Sequence, residues 1–143
     1  NDALGAIPRL LDLGVPDYLV AATLEGVLAQ RLVRRICDGC RARYTAPAEQ
    51  LALVSGRPSA DRQLTQGAGC EACRGTGYRG RVGLFELFEL DDESKDAITR
   101  GARRADLVTL AASKGMVTLR ADGWAKIKAG ITTLEEVIRV TAE

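Results

Sequence analysis

The sequence predicts an α+β fold that is mostly helical, and three observations support that prediction. All four cysteines lie between residues 37 and 73, in two C-x-x-C pairs that predict a zinc-binding subdomain. Apolar residues recur at intervals of three and four before and after this region, as they do in amphipathic helices. A run of β-forming residues from Val82 to Leu90 follows the second pair and predicts a strand.

The two cysteine pairs are Cys37-Asp-Gly-Cys40 and Cys70-Glu-Ala-Cys73. Two intervening residues allow one tight turn to direct both thiols at a single ion, and a tetrahedral Zn²⁺ site needs two such turns. The alternatives are two disulfides or four reduced, buried cysteines. Disulfides belong to secreted chains, and the sequence shows no signal peptide. We therefore predict one structural Zn²⁺ with four thiolate ligands, which leave no open position for catalysis.

Composition narrows the possible functions of the chain. It has no histidine, which excludes Ser-His and Cys-His catalysis and imidazole-containing zinc sites within these residues. No apolar run is long enough to span a membrane. The formal charge of +1 over 143 residues does not indicate a polyanionic partner, although seven arginines lie between residues 37 and 81.

The first third predicts two helices and a short strand. Leu4, Ile7, Leu10 and Leu11 form an apolar stripe, with Asp2 as the N-cap. A second helix is predicted from Asp17 to Ala29, with Leu19, Val20, Leu24, Val27 and Leu28 facing inward, and Arg31 to Ile36 as a strand entering the first cysteine pair. A capping residue so near the start suggests that the sequence is part of a longer protein.

The middle region predicts a short helix from Pro47 to Val54 and a polar loop from Arg57 to Gly69. Gly39 lies inside the first cysteine turn, where a tight turn favours glycine. Glycines 75, 77 and 80 formally match the dinucleotide-binding pattern G-x-G-x-x-G, but a cysteine turn precedes them and β-forming residues follow, so we expect them to serve as turn residues.

The last third predicts helices that begin at Asp91 or Asp92, at Ala105 and at Thr118, and a final helix capped by Thr133. Glu136, three residues after Thr133, would complete a capping box.

Four blocks, in order along the chain, resemble the assembly ATPases of bacterial type II secretion and type IV pilus machines. They are Asn-Asp-Ala at positions 1–3 with Arg-Leu-Leu-Asp-Leu-Gly-Val at 9–15, Val-Leu-Ala-Gln-Arg-Leu-Val-Arg at 27–34, Gly-Tyr-Arg-Gly-Arg-Val-Gly-Leu-Phe-Glu-Leu at 77–87, and Gly-Ile-Thr-Thr-Leu-Glu-Glu-Val-Ile-Arg-Val-Thr at 130–141.

The resemblance implies three parts: residues 1–36 as the edge of a RecA-like core, residues 37–90 as the zinc subdomain and residues 91–143 as a helical subdomain. It implies a cytoplasmic homohexamer at the inner membrane that uses ATP and Mg²⁺ to drive pilin or pseudopilin assembly beside inner-membrane platform proteins. The phosphate loop G-x-x-x-x-G-K-[ST] is missing, so we expect no catalytic residue in these 143 residues and no ATP hydrolysis by the chain alone. Pilus-retraction relatives lack the cysteine quartet, which favours assembly.

The resemblance also selects Arg81 as the nucleotide contact, because the matching arginine of the family points toward the nucleotide cleft. A salt bridge from Arg81 to Asp91 or Asp92 is the structural alternative. Two other function classes stay open: a stand-alone, zinc-stabilised protein-interaction module, and a nucleic-acid-binding zinc module. Against the second, Tyr44 and Tyr78 are the only aromatic residues between positions 37 and 81, too few for a base-stacking platform.

Overall fold

The computed structural model describes residues 2–57 and 60–142, which form an α+β structure with seven helices and two small sheets. The chain divides into two compact units. The first unit comprises residues 1–29 and 85–118, and the second comprises residues 30–84 and 119–143. The predicted division into parts 1–36, 37–90 and 91–143 of a longer protein stays a prediction.

The first unit contains four helices, α1 (Ala6–Asp12), α2 (Asp17–Thr23), α4 (Asp92–Thr99) and α5 (Arg104–Ser113). It also contains the start of strand β1 (Gly26–Ile36) and the end of strand β4 (Tyr78–Glu89). Buried apolar side chains from these elements form one core: Ala3, Leu4, Ile7, Val20, Phe88, Leu90, Ile98, Leu107 and Ala111.

The second unit surrounds the cysteines. Strands β2 (Arg41–Thr45) and β3 (Gln63–Gly67) pair antiparallel, with Arg41 opposite Gly67 and Thr45 opposite Gln63. Helix α3 (Ala48–Ser55) packs against α6 (Leu119–Lys128) and α7 (Leu134–Thr141). The buried apolar residues here include Val33, Ile36, Leu51, Leu64, Leu84, Ile127, Leu134 and Val137.

Strands β1 and β4 form the second two-stranded sheet. They run antiparallel, because the Leu90 N–H donates to the Glu25 carbonyl near one end and the Cys37 N–H donates to the Gly77 carbonyl near the other, both at 2.9–3.0 Å. The sheet brings the residues before the first cysteine pair beside the residues after the second.

Several predicted boundaries are confirmed. Asp91 caps α4 by accepting a hydrogen bond from the Ser94 N–H, and Thr133 caps α7 by accepting one from the Glu136 N–H. Helix α3 ends at Gly56, which adopts the left-handed conformation with φ of 68°. The run of β-forming residues after the second cysteine pair is strand β4.

The predicted helix from Asp17 to Ala29 is wrong in its second half. Helix α2 ends at Thr23, Leu24 is extended, and strand β1 begins at Gly26. The side chains of β1 alternate between the two faces of the sheet, so Leu28 is 60% exposed rather than directed inward. The spacing of three residues between Leu24 and Val27 does not distinguish a helix from an extended segment, because so short a stretch is compatible with both.

Two further predictions need correction. The segment from Arg57 to Gly69 is not wholly loop, since β3 pairs with β2 along five residues. Asp2 does not cap the first helix directly; its carboxylate accepts a hydrogen bond of 2.8 Å from the Gly5 N–H, and Gly5 is the N-cap. None of the helices in the described residues is both long and apolar enough to cross a membrane.

Candidate metal centre

The first cysteine turn begins where β1 ends. Cys37 directly follows Ile36, and residues Asp38–Cys40 form a short 3-10 turn that leads into β2. The Cys37 N–H is held by the Gly77 carbonyl at 2.9 Å. Gly39 does not have a positive φ, so the expectation that this turn requires a glycine is not supported by its backbone conformation.

The second cysteine turn does depend on glycine. After the 3-10 turn Glu71–Cys73, Arg74, Gly75 and Gly77 all have positive φ, at 55°, 76° and 78°. The backbone of Gly77 also passes directly against that of Gly67 at the end of β3. A Cβ atom on Gly67 would lie 2.0 Å from the Gly77 carbonyl oxygen, so any side chain there would separate the two segments.

The chain enters a strand, not a helix, after these glycines. The dinucleotide-binding pattern requires a helix at that point, because the helix N-terminus holds the pyrophosphate. Gly75 and Gly77 are therefore turn residues, as expected, whereas Gly80 lies within β4 with φ of 81°, so the expectation of a turn there is wrong.

The two turns bring all four predicted ligands together. The sulfur atoms of Cys37, Cys40, Cys70 and Cys73 lie within 4.8 Å of one another. The Sγ–Sγ distances are 3.8 Å for Cys37–Cys70, 3.8 Å for Cys40–Cys73 and 3.7 Å for Cys70–Cys73. All four cysteines are free, so the structure contains neither of the disulfides that the sequence left open.

These distances fit a tetrahedral four-thiolate site. Four ligands at about 2.3 Å from one ion in tetrahedral geometry are separated from each other by about 3.8 Å. Four sulfur donors complete the coordination of Zn²⁺, and iron also accepts such a site. The arrangement suits an ion that holds the two turns together and leaves no coordination position for a substrate.

Backbone N–H groups surround the sulfurs. The Cys70 and Gly77 N–H groups each donate to the Cys73 sulfur at 3.2 Å, and the Gly69 N–H donates to the Cys40 sulfur at 3.3 Å. The N–H groups of Cys70 and Gly77 lower the pKa of the Cys73 thiol, whereas burial raises the pKa of the Cys40 thiol. Such donors stabilise negative charge on sulfur, which a bound metal requires of its ligands.

A buried carboxylate joins helix α7 to strand β1, the strand that ends directly before Cys37. The side chain of Glu136 is fully buried, and its two oxygens accept five hydrogen bonds of 2.7–3.1 Å. The donors are the backbone N–H and guanidinium of Arg34 in β1 and the guanidinium of Arg139 in α7. Burial raises the pKa of Glu136, but the hydrogen bonds and charges of Arg139 and Arg34 outweigh it and lower the pKa to about 2.

Tyr78 extends this network to β4. The guanidinium carbon of Arg34 lies 4.0 Å from the centre of the Tyr78 ring, and the Tyr78 hydroxyl shares a 2.8 Å hydrogen bond with the Thr133 hydroxyl. The predicted capping box is thus only half correct. Thr133 caps α7, but the carboxylate of Glu136 bonds to two arginines, a role that the spacing of residues in the sequence did not predict.

Arg81 lies in β4 with its side chain exposed. Within residues 2–57 and 60–142, its guanidinium makes no ion pair or hydrogen bond. Asp91, one of its two proposed salt-bridge partners, pairs with Lys114. The assignment of Arg81 to nucleotide binding stays a prediction.

An α+β chain whose four cysteines meet between the end of β1 and the start of β4 defines a module that can hold one metal ion. Comparison with known proteins places that module in a family. A family described as "Type II/IV secretion system protein" matches residues 1–139, and the chain belongs to this family, as its sequence blocks indicated.

Individual relatives match the chain along its whole length. It is 46% identical over 146 residues to the type IV pilus assembly ATPase PilB of Thermus thermophilus. It is 45% identical to the type II secretion system protein E of Dickeya dadantii and 41% identical to that of Pseudomonas aeruginosa. All of this chain is covered, but only 16% of the first relative and 28% of the other two, so the chain spans less than a third of their length.

Proposed function

We propose that this chain is the zinc-containing part of a hexameric, cytoplasmic ATPase that powers pilin or pseudopilin assembly at the inner membrane. The observation that carries the proposal is the match of the whole chain to secretion and pilus ATPases. The full-length protein would use ATP and Mg²⁺ and act beside inner-membrane platform proteins. No role in binding nucleic acid is proposed.

The role of the metal in this proposal is structural. Cys37, Cys40, Cys70 and Cys73 would hold one Zn²⁺, because their Sγ–Sγ distances suit a tetrahedral ion. Through its cysteine ligands, the ion would link the end of β1 to the turn that precedes β4. Four thiolates close its coordination sphere, so its contribution to ATP hydrolysis would be to keep this part of the motor folded.

Exposed apolar side chains in residues 1–36 support the proposal that these residues are the edge of a larger RecA-like core. In the part of the chain that the structure describes, ten large hydrophobic side chains are exposed, and five of them lie in residues 1–36. They are Leu13, Tyr18, Leu19, Leu28 and Leu32. Apolar side chains that are exposed in this number suit a surface covered by the rest of a longer protein.

ATP hydrolysis by the full-length protein tests the proposal. With Mg²⁺, it should hydrolyse ATP, whereas the 143-residue chain should show no turnover above a tag-only control because it contains no phosphate loop. The upstream sequence in the same reading frame should encode that loop. A full-length protein without a phosphate loop and without turnover would support the stand-alone interaction module instead.

Arg81 is proposed as the nucleotide contact of this ATPase. Its planar set of donors can bind phosphate oxygens at two points, which a lysine cannot do. We expect Arg81→Lys to lower nucleotide affinity or hydrolysis in the full-length hexamer by more than about twofold. Arg79→Lys, in the same strand and also exposed, is the matched control. If both variants stay near the wild-type values, Arg81 does not contact nucleotide.

A further inference from the structure

A buried glutamate in strand β4 holds the start of the chain in place. Glu86 is only 4% exposed, and its Oε1 accepts a hydrogen bond of 2.8 Å from the Ala3 N–H. Both residues belong to the first unit, although 83 positions separate them in the sequence. Ala3 is completely buried, so its N–H group needs an acceptor within the protein, and the carboxyl group of Glu86 supplies it.

A second contact holds the same turn. The Asp2 carboxylate accepts a hydrogen bond of 2.8 Å from the Gly5 N–H and pairs with the guanidinium of Arg104 at the start of α5. The side chains of Arg104 and Asp2 are 48% and 28% exposed, and water weakens an ion pair of that kind. The buried bond between Glu86 and Ala3 is therefore the stronger of the two anchors.

Residues 2–5, which we refer to as the entry turn, would connect this chain to the rest of the proposed ATPase. These 143 residues contain no phosphate loop, so in that protein the loop lies upstream, and its covalent connection to this chain passes through the entry turn. Glu86 attaches the entry turn to β4, the strand that also carries Arg81, the proposed nucleotide contact.

We propose that Glu86 is a positioning residue for ATP hydrolysis, because its bond to the Ala3 N–H fixes the entry turn and with it the upstream part of the protein. Glu86 is buried and bonds to the backbone, so it acts without contacting nucleotide. A displacement of about 1 Å at the reacting groups can slow a reaction by about 100-fold. The effect on hydrolysis rests on the proposed ATPase, whereas the anchoring of the entry turn does not.

Two substitutions separate the hydrogen bond from the size of the side chain. Glu86→Leu has a similar size but no acceptor, so the buried Ala3 N–H loses its partner. Glu86→Gln keeps an oxygen that can accept the same bond. If Glu86→Leu does not fold, Glu86→Asp takes its place, because its carboxyl group is one methylene shorter and no longer reaches the Ala3 N–H.

Hydrogen exchange of the full-length, zinc-loaded protein without nucleotide measures the anchor. The signal is the exchange rate of amides in a peptide that contains residues 2–6, followed by mass spectrometry. In Glu86→Leu, one amide of this peptide should exchange about tenfold or more faster than in wild type, and in Glu86→Gln it should stay within about threefold. Unchanged exchange in Glu86→Leu would show that Glu86 does not hold the entry turn and would overturn the proposal.

Steady-state ATP hydrolysis by the same full-length proteins, with kcat expressed per bound nucleotide, measures the consequence. Glu86→Leu should lower kcat by about tenfold or more and leave KM within about twofold, while Glu86→Gln should behave like wild type. The control is Ile98→Ala, which leaves a cavity in the core of the same unit and lies in α4, the helix that packs against α2. It should lower the melting temperature but keep the wild-type kcat.

Two results of the hydrolysis assay would overturn the proposal. One is an unchanged kcat in Glu86→Leu. The other is an equal fall in kcat in Ile98→Ala, which would make the effect a general loss of stability. A wild-type protein that hydrolyses no ATP would overturn the proposed ATPase and, with it, the role of Glu86 in hydrolysis. The exchange measurement would then still decide whether Glu86 holds the entry turn.

Discussion

Replacing Glu136 by glutamine perturbs a buried side chain of the second unit that accepts five hydrogen bonds. The carboxylate is fully buried and accepts hydrogen bonds from two arginines, one in β1 and one in α7. Oε2 accepts from the Arg34 N–H at 2.7 Å and from Arg139 at 2.8 Å, while Oε1 accepts three guanidinium N–H groups. Glutamine keeps the size of the side chain but removes its charge and one acceptor.

The expected loss of stability follows from this geometry. Whichever way the amide is oriented, its NH₂ group faces two or three donors, which lose their acceptor. Removing one partner of a buried ion pair costs about 3–5 kcal/mol. The side chains of Arg34 and Arg139 are 46% and 55% exposed, so water can solvate part of the released charge. We therefore expect the free energy of unfolding to fall by about 3 kcal/mol, a large part of the roughly 5–15 kcal/mol typical of a domain.

Urea denaturation of the zinc-loaded chain at pH 7, followed by far-ultraviolet circular dichroism, measures this loss. Glu135→Gln is the matched control, because Glu135 is the exposed neighbour in the same helix turn. It should change the free energy of unfolding by less than about 0.5 kcal/mol. If Glu136→Gln and Glu135→Gln have equal, small effects, the carboxylate does not stabilise the second unit and our account of the network is wrong.

The remaining predictions concern acid sensitivity and two glycines. Because the pKa of Glu136 is lowered, the contribution of its carboxylate to the free energy of unfolding is complete above the ordinary pKa of 4.5 and is lost as pH falls toward about 2. The difference in free energy of unfolding between wild type and Glu136→Gln should therefore shrink over that range. A difference that does not depend on pH would contradict the assignment. Gly123→Ala would place a Cβ atom 2.5 Å from a Val137 methyl and should lower the free energy of unfolding by about 1–3 kcal/mol. Adding Val137→Ala should restore part of this free energy, because it removes the methyl that clashes. If the double variant is no more stable than Gly123→Ala, the clash is not the cause. Gly67→Ala should prevent the close approach of the backbones of Gly67 and Gly77 and so reduce the metal that the chain retains after dialysis, measured by metal analysis. Unchanged metal retention would mean that this close approach is not required for the metal site.

The features that the sequence predicted well depend on local rules. The spacing of the cysteines predicted which four side chains meet, because each C-x-x-C pair is a single turn. The cap of α7 was predicted for the same reason, since Thr133 accepts a hydrogen bond from an N–H group three residues away, and the predicted start of α4 at Asp91 or Asp92 is likewise confirmed. The family resemblance was confirmed along the whole chain.

The features that the sequence missed depend on distant partners. Strand β3 has a single buried apolar residue, Leu64, and is a strand because β2 pairs with it. Glu136 fits the pattern of a capping box, but its carboxylate meets Arg34, which lies 102 positions away in the chain. Spacing within a helix carries no information about such a contact. A buried glutamate with two arginine partners can be identified only once the fold has brought them together.

Metal analysis of the freshly purified, reduced chain tests the central claim, that four cysteines hold a structural Zn²⁺. We predict about one equivalent of zinc per chain, with binding that contributes on the order of 10–16 kcal/mol at neutral pH. Cys73→Ser should lose the metal and unfold the region between the cysteine turns, while Ala72→Ser, at the exposed neighbouring position, should keep both. Less than about half an equivalent of zinc in the wild type, or iron in its place, would contradict the claim.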